Sequence, residues 1–162
     1  MLRGLVASLL RARRRDPATV AAAVRAALEA GVEHARAKRS PEAERCYLEA
    51  LRLAPSNPDA LNLLGLLAFV RMHYDTALDY FREALRSGGA AVADFNRNLG
   101  MALQATGRDK EAEAAYRKAL ALDPQGLRFN TSLLFHLSQQ SGTAPEQLLT
   151  EHRACMDRVL RD

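Results

Sequence analysis

The sequence is poor in several residue types on which common functions depend. Among its 162 residues there is no Trp, and aromatic residues make up 6%, so a surface that stacks nucleic-acid bases would have few rings to use. Cys46 and Cys155 stand in no CxxC or CxxxH arrangement and cannot supply the disulfide framework of a small secreted domain. No apolar run approaches the roughly 18 residues that cross a bilayer. The apolar stretch 4–10 has its charges mainly after it, the reverse of a secretory signal, so we expect a cytoplasmic protein.

The motifs of common catalytic and metal sites are also missing. The sequence has no phosphate-cradling glycine loop, no Gly-x-Ser-x-Gly and no HExxH. Its four histidines have no neighbouring Cys and fall in separate segments: His34, His73, His136 and His152. We therefore expect no metal, no cofactor and no catalysis by this chain.

What the sequence does contain fits one globular domain with a basic start. Hydrophobic residues make up 48% and charged residues 26%, and a compact chain of this length buries roughly 70% of its unfolded surface. The net charge of +4 is uneven, since residues 1–15 hold five arginines and no acid, while the rest of the chain carries −1. We predict that 1–15 is an amphipathic helix capping one end of the fold, with an apolar stripe at Leu2, Leu5, Val6, Leu9 and Leu10. Binding of nucleic acid or an anionic membrane by this segment is the less favoured alternative.

A period of 34 to 35 residues runs through the middle of the chain. Ala43, Tyr47, Ala50 and Leu51 recur as Ala77, Phe81, Ala84 and Leu85, and again as Ala112, Tyr116, Ala119 and Leu120. Gly31, Gly65 and Gly100 keep the same register. Residues at i, i+4, i+7 and i+8 share one face of a helix, so each set is predicted to be one packed helix face. The mid-helix glycines indicate that a second helix crosses closely there.

Proline- and glycine-containing breaks divide each period into a helical hairpin. We predict helices over 18–38, 41–53, 58–71, 74–87, 91–106 and 109–121, followed by a last hairpin of 127–139 and 145–160. No segment alternates with period two, so no sheet is expected. The predicted organisation is the capping helix 1–15, a repeat region 16–126 with units of about 24–57, 58–92 and 93–126, and a C-terminal hairpin or linker 127–162.

These residues resemble the tetratricopeptide repeat, in which Leu-Gly is followed by Ala, an aromatic residue, Ala and a closing Pro over about 34 residues. The third copy is nearly complete, with Leu99-Gly100, Ala112, Tyr116, Ala119 and Pro124. The second has Gly89 in place of the closing Pro, and the first has Ala30-Gly31 in place of Leu-Gly. The resemblance implies an all-α, right-handed solenoid of antiparallel hairpins, in which the first helix of every hairpin lines a concave groove that commonly holds a peptide or extended partner segment.

A second resemblance covers about 30 residues at the end of the chain. The stretch 129–137, followed by 145–149 and Glu151-His152-Arg153, resembles the junction between repeats and catalytic region in bacterial protein O-linked N-acetylglucosamine transferases and their plant SPINDLY relatives. Ser132 stands where that family often has Asn, and Ser138-Gln139-Gln140 replaces its usual Asn-Tyr. The resemblance implies a substrate-recruiting repeat region whose catalytic residues would lie beyond Asp162, so no catalytic role is assigned to any residue here.

The candidate binding residues come from the predicted first helices and mix apolar with polar side chains. They are Asn62, Leu66, Phe69, Arg97, Asn98, Met101, Gln104, Arg128, Thr131 and Phe135. An amide such as Asn98 could hydrogen-bond the backbone of an extended guest whatever its sequence, while Phe69 and Met101 offer adaptable apolar contact. The alternative is that some of these side chains simply pack between hairpins. The transferase repeats carry Asn before Leu-Gly, which only Asn98 keeps, and a chaperone-type carboxylate clamp lacks its full set around Arg97.

The sequence thus predicts a module that binds a protein or an extended peptide segment. The more specific prediction is that this module is the substrate-recruiting region of a transferase-like protein. A stand-alone adaptor for assembling protein complexes is the alternative. Self-association is a third possibility, because the open ends of a short solenoid expose hydrophobic surface.

Overall fold

A computed structural model describes residues 16–140 and 142–160. This part of the chain holds eight α-helices and one short 3₁₀ turn, with no strand. The helices are α1 (Pro17–Arg36), α2 (Ser40–Leu53), α3 (Pro58–Val70), α4 (Tyr74–Arg86), α5 (Ala93–Ala105), α6 (Asp109–Leu122), α7 (Leu127–Gln139) and α8 (Pro145–Val159). The capping helix predicted over 1–15 lies outside the described residues.

The helix ends follow from local sequence, and they fall within two residues of the predicted ranges. Pro17 and Pro58 occupy the first positions of α1 and α3, where a missing N–H costs nothing. Asn57 caps α3 by accepting a hydrogen bond from the backbone N–H of Ala60 at 2.8 Å. Helix α5 starts two residues later than predicted, because Gly88 adopts a left-handed φ of 113° and Gly89–Ala91 forms the 3₁₀ turn.

The helices pair as consecutive hairpins that stack into a solenoid. The most extensive contacts are within the pairs α1–α2, α3–α4 and α5–α6, and each pair then packs on the next. The last pair, α7–α8, packs on α6 through α7. Among the first helices, α3 also contacts α5 directly, and α5 contacts α7. They therefore lie side by side and form one continuous face of the solenoid.

Small and large residues alternate in the core, as the repeat pattern predicts. Ala43, Ala77 and Ala112 are fully buried, and the rings of Tyr47, Phe81 and Tyr116 lie against Gly31, Gly65 and Gly100 respectively. A Cβ added at any of these glycines would lie 2.8 Å or less from ring carbon atoms. Glycine is thus required by the close approach of a ring from the second helix of the same hairpin.

Two buried asparagines that the repeat pattern did not single out fix the connections between hairpins. Asn96 Nδ2 donates to the carbonyls of Ala90 and Val92. Asn130, one repeat later, donates in the same way to the carbonyls of Pro124 and Gly126. Each amide thus ties the loop that precedes its helix to the first turn of that helix. The carbonyls of Val92 and Gly126 also accept backbone N–H groups of the helix that follows.

None of the helices in residues 16–140 and 142–160 combines the length and the apolar character needed to span a membrane.

Candidate functional site

The face lined by the first helices carries a pocket between α3, α5 and α7, which we name the C-terminal pocket. Its volume is about 390 Å³. The lining residues are Phe69, Arg97, Met101, Gln104, Ala105, Tyr116, Ser132 and Phe135. Five of them were predicted from the sequence as groove residues: Phe69, Arg97, Met101, Gln104 and Phe135. Residues from three successive hairpins thus converge on one pocket.

A second cavity on this face, the N-terminal pocket, lies between α1 and α3 and has a volume of about 700 Å³. It is lined by Leu28, Glu29, Val32, Glu33, Arg36, Asp59, Asn62 and Leu63, of which only Asn62 was predicted. A third cavity of about 520 Å³ includes Leu66 together with Val32 and Val70. The face is therefore pocketed over three hairpins and not only at its C-terminal end.

The sequence interpretation missed the contribution of α1, although the register could have revealed it. Val32 follows Gly31 as Leu66 follows Gly65 and Met101 follows Gly100. Leu28 precedes its glycine by the same distance as Asn62 and Arg97 precede theirs. Each helix thus presents equivalent positions to the groove. The weak start of the first repeat, with Ala30 in place of Leu, obscured that equivalence.

A polar ladder crosses the floor of the groove from α3 to α7. Asn98 Nδ2 donates to Asn62 Oδ1 at 3.0 Å, Arg97 Nη1 donates to Asn98 Oδ1 at 3.5 Å, and Arg97 Nε donates to Ser132 Oγ at 3.0 Å. Asn98 is only 5% exposed and is not among the residues that line the three cavities. That its amide binds a guest backbone stays a prediction, and in this structure the amide N–H is used to join two repeats.

Two further predicted residues lie on α7 outside the three cavities. Arg128 forms an ion pair with Asp94 at 2.8 Å, and its guanidinium lies 4.8 Å from the centre of the Phe129 ring. The hydroxyl of Thr131 donates to the carbonyl of Arg128 at 3.1 Å. Both side chains are exposed. Their contacts tie α7 to α5 and to its own first turn.

Tyr116 forms a buried wall of the C-terminal pocket. It is 3% exposed, and its hydroxyl donates to Gln104 Oε1 at 2.9 Å. Burial raises the pKa of Tyr116 to about 12, and the neighbouring positive charge of Arg97 opposes this rise only in part. The phenol is therefore neutral at physiological pH and acts as a hydrogen-bond donor that orients Gln104.

The Tyr116→Phe variant tests this assignment through alkaline stability. The pKa of Tyr116 in the folded chain exceeds the value of about 10 for an unfolded chain. The stability that the neutral phenol contributes to the fold is therefore complete below pH 10 and is lost as the pH rises through 12. Between pH 10 and pH 12, the free energy of unfolding of the wild type should fall by up to ~1.4 kcal/mol per pH unit more than that of the variant. Urea unfolding at a series of pH values measures the difference. A Tyr116→Phe slope equal to that of the wild type would contradict the assignment.

The described residues contain no group of three or more His, Cys, Asp or Glu side chains placed to hold a metal ion. His136 is a buried residue of α7, and its Nε2 contacts the Asp109 carbonyl and the Gln140 amide. The centre of its ring lies 5.3 Å from that of the Tyr116 ring. The side chain thus packs against α6 as part of the interior.

Comparisons with known proteins agree with this architecture. A protein-family model described as tetratricopeptide repeat matches residues 28–91 and 71–126. The structure of an O-GlcNAc transferase mutant from Thermobaculum terrenum is similar, with a TM-score of 0.79 and 28% identity over 86% of this chain and 26% of that one. The crystal structure of MamA has a TM-score of 0.72 at 18% identity, covering 83% of this chain and 77% of that chain, a likeness of fold.

Among curated proteins, the human cell division cycle protein 16 homolog is 31% identical over 103 residues, which is 59% of this chain and 17% of that protein. The chain thus spans less than a fifth of this relative and about a quarter of the transferase. Because the family model covers residues 28–126, well over half of the sequence, the chain belongs to the tetratricopeptide repeat family and is a protein-interaction module.

Proposed function

We propose that the groove lined by the first helices binds an extended segment of a protein, and that the chain recruits substrates for an O-linked N-acetylglucosamine transferase-like enzyme. The observation that carries the groove assignment is the C-terminal pocket, where apolar side chains from three hairpins meet beside polar ones. The transfer chemistry would be supplied by a catalytic region outside these 162 residues.

An extended guest suits the arrangement of this face. The N-terminal pocket and the third cavity both lie between α1 and α3 and share Val32 and Leu63, whereas the C-terminal pocket lies between α3, α5 and α7. One guest segment that crosses the first helices can therefore place side chains at both ends of the face. Met101 and Phe69 give the C-terminal pocket adaptable apolar walls. Apolar walls with a few fixed polar groups are typical of binding sites.

The link to a transferase is supported by likeness in structure and in sequence. The transferase structure covers most of this chain at 28% identity. Its likeness agrees with the resemblance of residues 129–153 to the junction that precedes a catalytic region. Both observations favour a recruiting role over other roles that the same repeats support.

A stand-alone adaptor that assembles a protein complex is the second candidate. It is favoured by the sequence relatives, which include the cell division cycle protein 16 homolog and the Arabidopsis thaliana anaphase-promoting complex subunit 6. The natural reading frame after codon 162 distinguishes the two candidates. An encoded glycosyltransferase domain there supports recruitment, and a stop codon supports the adaptor.

The groove assignment is tested by selecting peptides from a random display library on the wild-type chain and measuring their affinities by fluorescence anisotropy. Met101→Glu places a carboxylate among the apolar walls and should weaken groove-bound peptides by about tenfold or more. Leu122→Glu makes the same change at a half-exposed position at the end of α6 and should leave the affinities unchanged. Peptides that bind Met101→Glu as tightly as the wild type would place their site outside the groove.

A further inference from the structure

The C-terminal pocket contains a cation that no carboxylate neutralises among the described residues. Arg97 is partly buried, and its partners there are the neutral oxygens of Ser132 and Asn98. By contrast, Arg128 pairs with Asp94 and Arg36 pairs with Glu33. A guanidinium held beside apolar walls gains most from an anion that can complete its hydrogen bonds.

A second hydrogen-bond donor faces the same space. The hydroxyl of Tyr116 occupies Gln104 Oε1, which leaves Nε2 of Gln104 without an acceptor among the described protein atoms. Arg97 and Gln104 both line the pocket. Together they present a charged and a neutral donor, the combination that binds a carboxylate.

Apolar side chains form the rest of the pocket wall. Phe69, Met101 and Ala105 line it on α3 and α5, and Phe135 lines it on α7. The Phe135 side chain is 59% exposed, so a guest could still cover much of its ring. A volume of about 390 Å³ accommodates one large apolar side chain with its neighbouring backbone.

The N-terminal pocket has the opposite charge. Glu29 and Asp59 line it and are exposed, and no cation of the described residues pairs with either. Glu33 is already paired with Arg36. A carboxylate of the guest is therefore repelled at this end of the groove and attracted to the C-terminal pocket. The charge distribution thus determines at which end the guest's carboxylate binds.

We propose that the C-terminal pocket recognises an extended peptide in which a large apolar side chain is adjacent to a carboxylate. The apolar side chain packs between Met101 and Phe135, and the carboxylate accepts hydrogen bonds from Arg97 and Gln104. This assignment rests on the proposed peptide-binding function and specifies the class of sequence that the groove selects.

The probes are short fluorescein-labelled Gly–Ser peptides with a central Phe-Asp pair, together with matched Phe-Asn and Ala-Asp peptides. The wild type should bind the Phe-Asp peptide about tenfold more tightly than either matched peptide. Arg97→Gln should remove the preference for Asp over Asn, while Arg97→Lys should retain part of it. Fluorescence anisotropy at two salt concentrations measures these differences, and thermal unfolding checks that each variant is folded.

Arg86→Gln is the matched control, because it removes the same charge from an exposed ion pair with Glu83 on α4 and should keep the full preference. Equal affinity for the Phe-Asp and Phe-Asn peptides, including no binding of either, would overturn the assignment. A preference that survives in Arg97→Gln would overturn it too. The library-selected peptides report separately on the groove, so their loss in Met101→Glu would uphold the proposed function even if this specificity were wrong.

Discussion

Replacing Gly65 by Val is expected to destabilise the chain by about 3 kcal/mol or more. Its Cβ would lie 2.5 Å from Cε1 and 2.7 Å from Cδ1 of Phe81, well inside van der Waals contact, and two methyl groups would follow. Helix propensity alone predicts the opposite sign, since Gly costs about 1 kcal/mol relative to Ala in a helix interior. The ring is fully buried and cannot turn away, so the clash outweighs the gain in propensity.

Urea unfolding followed by circular dichroism measures this effect. Gly65→Ala should also destabilise, and combining it with Phe81→Leu should cost less than the sum of the two single changes, because the smaller side chain relieves the clash. Gly142→Ala is the control, since a Cβ there meets nothing within 4 Å. A stabilised Gly65→Ala variant would mean that α3 and α4 are not packed as closely as described.

This packing explains why the sequence predicted the hairpins so well. The ring that excludes a Cβ at Gly65 comes from 16 positions later in the same hairpin, and the same relation joins Gly31 to Tyr47 and Gly100 to Tyr116. A contact between two helices joined by a short turn leaves a periodic trace in sequence. The helix boundaries were predictable for a similar reason, because Pro58 and Asn57 act on their own helix end.

Contacts between hairpins leave a weaker trace, and here sequence reasoning was incomplete. The hydrogen bond from Asn98 to Asn62 joins residues 36 positions apart. It depends on how far one hairpin is offset from the next, which composition and periodicity do not determine. Asn98 was therefore predicted to bind a guest only because it lies on a first helix. The pocket role of Arg97 was predictable from that helix face, whereas its bond to Ser132 was not.

The C-terminal pocket could be anticipated only in part for the same physical reason. Met101 and Phe135 belong to first helices and were identified from the repeat register. Tyr116 belongs to a second helix, and the pattern assigned its ring to the core. The ring does pack against Gly100, while its hydroxyl reaches Gln104 on the groove side. One residue thus links the packing that defines the repeat to the donors that line the pocket.

Asn130 joins three parts of the C-terminal hairpin at a single buried amide. It is fully buried, and its Nδ2 donates to the carbonyls of Pro124 and Gly126 at 2.9 and 3.2 Å. Its Oδ1 accepts a hydrogen bond from Arg158 Nε on α8 at 2.9 Å. The side chain therefore fixes the loop before α7 and also anchors the last helix.

Asn130→Leu should cost about 3 kcal/mol, because a side chain of similar size replaces the amide and leaves the Pro124 carbonyl and the Arg158 guanidinium without this partner. Urea unfolding measures the loss in free energy of unfolding. Relative to the wild type, backbone hydrogen exchange in the variant should accelerate more in α8 than in α3. Thr131→Val, the neighbouring exposed position, should change stability by no more than about 0.5 kcal/mol. Equal stability of Asn130→Leu and Thr131→Val would contradict this prediction. It would mean that water satisfies the freed polar groups as well as the amide does, and that the amide does not anchor α8.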